Sequence, residues 1–223
     1  MNLVMVQQHL KLDNIMINLL EYSLQNPFGQ HWNSLNKDNV QEQILTGATQ
    51  HGFKALDLGA TFPKTTGALV DFGCGIGRNV DSIRSFFNPE FMVGYDLPNM
   101  INLMPLEVKS RYDKLTSDFE FIESIKPRII LASLCLQHIP TVLLMKYFER
   151  LAAWPCLLYV LTRRYNDGDK DDILDMISCS FNAIWLSRDA AGLYDWPGNP
   201  ELHWSGIFAP RVMEKPFISL ASL

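Results

Sequence analysis

Between Leu12 and Leu24 apolar residues recur every three to five positions, at Leu12, Ile15 or Met16, Leu19 and Leu24, with Asp13, Asn14, Asn18 and Glu21 between them. That spacing predicts an amphipathic helix. A turn follows at Asn26-Pro27-Phe28-Gly29, a second helix is expected over about Lys37–Gln50, and residues 53–66 pass through Gly59 and Pro63 without a clear period. No charge tract or Ser/Gly linker separates this part from the rest. Residues 1–66 are therefore expected to form a helical cap and connection within a single domain spanning 1–223, not a domain of their own.

At Gly67 the pattern changes. Ala68–Phe72 reads as a short buried strand that runs into Gly73-Cys74-Gly75-Ile76-Gly77, and Asn79–Phe87 then places Val80, Ile83 and Phe87 on one helical face. Further strands are expected at Phe91–Tyr95, Arg128–Leu134, Cys156–Leu161 and Leu202–Phe208. Helices are expected after Pro140, with Val142, Met145 and Phe148 or Leu151 on the apolar face, and from about Lys170 to Leu186, bearing Ile173, Ile177 or Met176, Phe181 and Ile184. The stretch containing Leu115, Phe119 and Phe121 is less legible. Alternating strands and helices predict an α/β architecture of three layers over 67–223, built on a mostly parallel, Rossmann-like central sheet of about seven strands.

Composition agrees with a packed protein, because 48% of the 223 residues are apolar and 19% charged. No apolar run approaches the roughly 20 residues needed to cross a bilayer. The N-terminus carries no basic region followed by an apolar stretch, so a cytoplasmic location and no membrane partner are expected. Cys74, Cys135, Cys156 and Cys179 are widely spaced with no Cys-x-x-Cys, which points to neither a metal site nor a disulfide framework. A net charge of −5 argues against a broad polyanion-binding surface. The basic clusters Lys109/Arg111/Lys114 and Arg163/Arg164 are as short as ordinary helix ends.

Residues 71–96 carry the chemistry. Glycines at 73, 75 and 77 let the backbone turn tightly and approach a bound molecule, and the N–H groups of the turn offer polar contacts. Asp96, at the carboxyl end of the neighbouring strand, is placed to accept from two ribose hydroxyls. Together these describe a nucleoside-bearing cofactor, with a purely structural turn as the alternative. The dinucleotide fingerprint requires one more glycine where Arg78 stands, so NAD or FAD is the weaker fit, and the Gly-Lys-Ser/Thr of a phosphate loop is absent.

The run Leu69-Val70-Asp71-Phe72-Gly73-Cys74-Gly75-Ile76-Gly77 closely resembles the first motif of the class I S-adenosylmethionine-dependent methyltransferases. The resemblance implies S-adenosyl-L-methionine as cofactor, with Asp71 opening the motif, Gly73, Cys74, Gly75 and Gly77 passing under its methionine part, and Asp96 holding its ribose. By the same resemblance Leu97 or Met100 lies against adenine, although Met100 serves equally as helix cover. Asp118-Phe119 resembles the position that meets the adenine amino group and ring, with a helix cap as the alternative for Asp118. Ile130–Pro140 is similar to the family's fourth-strand region, which brings Leu134 to the cofactor and His138 to the start of the next helix.

Methyl transfer needs chiefly an acceptor placed in line with the S–CH3 bond. His138 is the candidate general base, since imidazole accepts a proton near neutral pH, and a histidine merely bonded at the helix start is the alternative. In the cap, Phe28, His31 and Trp32 are candidate acceptor-binding residues, or else aromatic packing. The Asp/Asn/Ser-Pro-Pro-aromatic motif of amino-methylating nucleic-acid enzymes is absent, Pro155-Cys156 lies at the wrong strand for a cytosine-C5 nucleophile, and the acids of magnesium-dependent oxygen methyltransferases are missing. The expected function is therefore methyl transfer to oxygen or nitrogen of a small molecule. A nucleic-acid or protein methyltransferase, or a partner protein that binds the cofactor without transfer, are the alternatives.

Overall fold

Short apolar strands alternate with helices along the chain. The computed structural model describes residues 34–38, 67–163, 172–187 and 203–211. In chain order the elements are β1 (Ala68–Phe72), α1 (Val80–Phe87), β2 (Phe91–Tyr95), α2 (Pro98–Leu103), α3 (Leu106–Lys109), β3 (Lys114–Thr116), α4 (Phe119–Ile125), β4 (Ile129–Ser133), a 3₁₀ turn (Leu136–His138), α5 (Thr141–Leu151), β5 (Leu157–Arg163), α6 (Asp172–Ser180), β6 (Phe181–Ser187) and β7 (His203–Pro210). Among them no helix is long and apolar enough to cross a membrane.

The strands form one sheet in the order β3-β2-β1-β4-β5-β7-β6. Strands β1 to β5 pair in parallel, whereas β7 runs antiparallel to both β5 and β6. Because side chains alternate along a strand, each strand feeds two cores. Val70, Phe72, Val93, Tyr95, Ile130, Ala132, Leu158 and Val160 meet Ile122 of α4, Leu144 and Phe148 of α5 and Ile177 of α6 on one face. On the other, Leu69, Met92, Ile129, Leu131 and Tyr159 meet Val80, Ile83 and Phe87 of α1. The α/β fold with a mostly parallel seven-stranded sheet is thus as expected.

One expected element needs correction. The helix anticipated from Lys170 to Leu186 ends at Ser180, and Phe181–Ser187 is a strand instead. Phe181 and Ile184 continue the helical spacing, which is why the sequence misleads here. Ser178, Cys179 and Ser180 are weak helix formers, and the following residues pair with β7 from Phe181 opposite Pro210 to Ser187 opposite Ser205. The pairing shifts between Ala183 and Trp185, and Phe181 still reaches the core containing Met176 and Ile177. In the less legible stretch, β3 has three residues, too few to show a period, and Phe119–Ile125 is the helix α4 with Asp118 as its cap. The first helix, most of the second and the tail pieces at 192–200 lie outside the described residues, as do Phe28, His31 and Trp32.

Phe148 is buried on α5 and meets Phe181 edge-on, with ring centroids 6.4 Å apart. Phe148→Ala should therefore lower unfolding free energy by about 3–5 kcal/mol. A urea titration checks this, and a loss below about 1 kcal/mol would contradict the packing described.

Candidate functional site

Strand order reverses at β1, which has β2 on one side and β4 on the other. In open α/β sheets such a switch point leaves a crevice outside the carboxyl ends of the strands, where ligands bind. The glycine loop emerges from β1 at that place. Its first two N–H groups, of Gly73 and Cys74, both donate to Tyr95 O, at 2.8 and 3.2 Å, so the loop leans toward β2.

The three glycines have different reasons to lack a side chain, although all have positive φ (75°, 57° and 80°). A Cβ on Gly73 would lie 2.3 Å from Cys135 Cβ, and one on Gly77 would lie 2.4 Å from Val108 Cγ1. Around Gly75 a Cβ would meet nothing within 4 Å. The outer glycines are thus demanded by packing, and the middle one borders open space at the switch point.

Asp96 fastens this loop to the end of β2. Its Oδ2 accepts from Gly75 N at 2.6 Å and its Oδ1 from Leu97 N at 2.7 Å. A carboxylate offers about four lone-pair sites, so both oxygens can still accept from a ligand hydroxyl. Asp71 is buried one strand away, where its Oδ2 accepts from the Tyr112 hydroxyl at 2.8 Å. Burial pushes the Asp71 carboxyl up to about 7, against the Tyr112 hydrogen bond and helped by the charge of Asp96. Burial likewise pushes Asp96 up to about 6, opposed by the Gly75 and Leu97 N–H groups. The Cys74 and Cys135 thiols are pushed up by burial and by both carboxylates, so they stay protonated.

Leu97 and Met100 pack together with Ile76 of the loop, and Leu35 and Leu103 lie against them. Asn99 Nδ2 donates to Leu35 O at 3.2 Å, so a piece of the N-terminal region is seated on α2 beside the loop. Asp118 is exposed and caps α4, accepting from Glu120 N at 2.9 Å. Phe119 is buried in the core, 4.6 Å from Tyr147 and 6.0 Å from Tyr95 between ring centroids, with Arg150 over its ring. The structure thus gathers Asp71, Gly73, Cys74, Gly75, Gly77, Asp96, Leu97 and Met100, and turns Phe119 into the aromatic layer.

At the end of β4, Leu134 takes a left-handed conformation (φ 54°) and donates its N–H to Leu161 O at 2.7 Å. A non-glycine residue there costs on the order of 1–2 kcal/mol. The 3₁₀ turn then places His138, half-buried, with its N–H on Cys135 O at 2.9 Å. Gln137 organises the surroundings: its Nε2 donates to Leu134 O at 2.9 Å and lies 3.4 Å from His138 Nε2, while its Oε1 accepts from Thr162 Oγ1 at 3.0 Å. In that contact the Gln137 amide faces the His138 ring. Among the described residues no group of three or more side chains is arranged to hold a metal ion.

Tyr112, Gln137 and Leu35 were not anticipated. Tyr112 is 41 positions from its partner Asp71, and Leu35 is 64 from Asn99, separations that local pattern does not reveal. The one available signal was Gly94, since a glycine inside a strand marks a close approach.

No family model matches the chain, and no curated protein matches it. Its fold is shared with solved structures, a methyltransferase among them. A TehB-like SAM-dependent methyltransferase from Corynebacterium glutamicum superimposes with a TM-score of 0.53 at 14% identity, over 78% of this chain and 98% of the other. The pyocyanin biosynthetic protein PhzM superimposes with a TM-score of 0.53 at 12% identity, over 83% of this chain and 62% of its own length.

The Asp71 carboxyl makes a prediction about the free protein. Its folded value, about 7, lies above the unfolded value near 3.9, so the native state binds the proton more tightly. Its contribution is greatest below about pH 4 and is lost as pH rises through 7. Asp71→Asn removes that linkage, so the variant should gain on the wild type by a few kcal/mol between pH 4 and 8, at about 1.4 kcal/mol for each pH unit separating the folded and unfolded values. Urea titrations of both proteins at the two pH values measure it, and a constant difference would refute the burial argument.

Proposed function

We propose that this chain, which has the fold of the class I S-adenosylmethionine-dependent methyltransferases, binds S-adenosyl-L-methionine at the β1–β2 edge and transfers its methyl group to oxygen or nitrogen of a small acceptor. The observation that carries the reading is the tether of Gly75 to Asp96 at 2.6 Å, with open space over Gly75. A side chain at 75 would fill the place a ligand needs, and an acid at the end of β2 suits a ribose diol.

When bound, the sulfonium supplies an already activated methyl group. The chain's own work is then to bind, orient and exclude. Loop residues Gly73–Gly77 lie under the methionine part, Asp96 accepts from the ribose hydroxyls, and Ile76, Leu97 and Met100 give adenine an apolar wall. Asp118, exposed beyond β3, is assigned to the adenine amino group. Asp71 supplies negative charge beneath a cationic ligand, which favours its ionised form. His138 is assigned as the base that takes the acceptor's proton.

A small acceptor is favoured by the net charge of −5 and by the absence of a basic tract. Phe28, His31 and Trp32 are proposed to line the acceptor side. Leu35, seated against Met100 and following Trp32 closely in sequence, supports an N-terminal segment that reaches the cofactor.

Calorimetry with S-adenosylhomocysteine should show saturable binding, and Asp96→Ala should weaken it roughly 5–150-fold while the protein stays folded. Equal affinity in the folded variant would remove Asp96 from the site. His138→Ala should lower turnover about 10²–10⁴-fold at unchanged cofactor affinity. Activity should also decline at acidic pH as the imidazole protonates, measured by transfer of a radiolabelled methyl group to extracted small molecules. Label recovered only in RNA or protein would reject the small acceptor.

A further inference from the structure

Tyr112 lies between α3 and β3, and its phenol ring occupies a slot that two glycines leave open. A Cβ on Gly77 would come within 3.2 Å of Tyr112 Cε2, and a Cβ on Gly94 within 3.0 Å of Tyr112 Cε1. One edge of the ring thus supports the glycine loop and the other rests on β2. From that slot the hydroxyl reaches Asp71 at 2.8 Å, and both residues are buried.

We propose that Tyr112 is a positioning residue for cofactor binding, which orients the Asp71 carboxylate and props the glycine loop from below; the proposal rests on the reading that this edge binds S-adenosylmethionine. The titratable groups facing Asp71 are Tyr112 from the α3–β3 connection, Asp96 from the end of β2, Cys74 from the loop and Cys135 from beyond β4. Tyr112 alone among them lowers the Asp71 value. Burial and the neighbouring acid keep the phenol itself protonated, so it remains a donor. Without it, a carboxylate buried beside Asp96 has lost the one hydrogen bond among these four groups that stabilises its ionised form, and takes up a proton at higher pH. The loop would then face a cationic ligand with one negative charge fewer.

The test is Tyr112→Phe, which keeps the ring in its slot and removes only the hydroxyl. In the free protein, carbon-13 titration of the Asp71 carboxyl should show its midpoint moving up in the variant. Calorimetry with S-adenosylmethionine, which carries the sulfonium charge, should show roughly tenfold weaker binding near pH 7, with the defect narrowing by pH 9 as Asp71 ionises again. A residue that only fills space would shift neither the midpoint nor the pH profile. The second variant, Asp71→Asn, should flatten the profile, and adding Tyr112→Phe to it should cost nothing more, because the two act through one contact. An unchanged Asp71 midpoint, an unchanged pH profile or additive losses would overturn the proposal. If the wild type binds no S-adenosylmethionine, the cofactor reading fails and the proposed role with it. A wild type that binds, beside a Tyr112→Phe variant that binds equally well at every pH, overturns the role of Tyr112 alone.

Discussion

The hydrogen bond from Gly75 N to Asp96 Oδ2 closes the end of the sheet. Two strands that leave a parallel pair would ordinarily splay, and their loops would be free to sample many conformations. Here the loop after β1 is bound to the residue after β2, and its start is bound to Tyr95 O as well. The loop therefore enters the folded state already shaped, and a ligand does not have to supply its ordering entropy. The arrangement has an electrostatic consequence. It brings Asp96 close to Asp71, and the charge of Asp96 makes the buried Asp71 harder to ionise.

On the face of the sheet covered by α4 and α5 the packing is aromatic. Phe72, the last residue of β1, stacks on Tyr95 at 4.9 Å and meets Tyr147 edge-on at 5.4 Å. The Tyr95 and Tyr147 hydroxyls pair with each other at 3.1 Å, which satisfies two buried polar groups and links β2 to α5. Phe119 completes the layer, and Arg150 covers it while pairing with Glu123. A floor made of rings with few rotamers holds the ends of β1 and β2 against α4 and α5. Phe119 belongs to this floor, which explains why a residue beside a proposed adenine contact is itself buried.

Legibility in the sequence followed how local each signal was. The strand Ala68–Phe72, the glycine loop and Phe91–Tyr95 with Asp96 were all readable, because their signals are runs of adjacent residues. The C-terminal part was harder. Phe181 and Ile184 obey a helical period and yet belong to β6, since its place is decided by pairing with β7, more than a dozen residues away. The Tyr112–Asp71 contact left no mark except Gly94, and a glycine reports that something comes close without saying what. Gln137 is similar: its position before His138 was visible, but its bond to Thr162 on β5 is tertiary.

The far edge of the crevice is built differently from the loop edge, and the difference suits a reaction governed by placement. Leu134 is held in a conformation that leucine disfavours, and two contacts hold it there: its own N–H on Leu161 O, and its carbonyl taken by Gln137. Strain of this size persists only when the surroundings over-determine it. Thr162, buried on β5, fixes the other end of the same amide. The 3₁₀ turn bearing His138 is thus anchored to two neighbouring strands at once. A base carried on that turn would keep a fixed distance from the sheet, and so from a cofactor held by the loop on the adjacent strands. Geometry of that kind matters more than base strength when the leaving group is already activated and the remaining requirement is alignment.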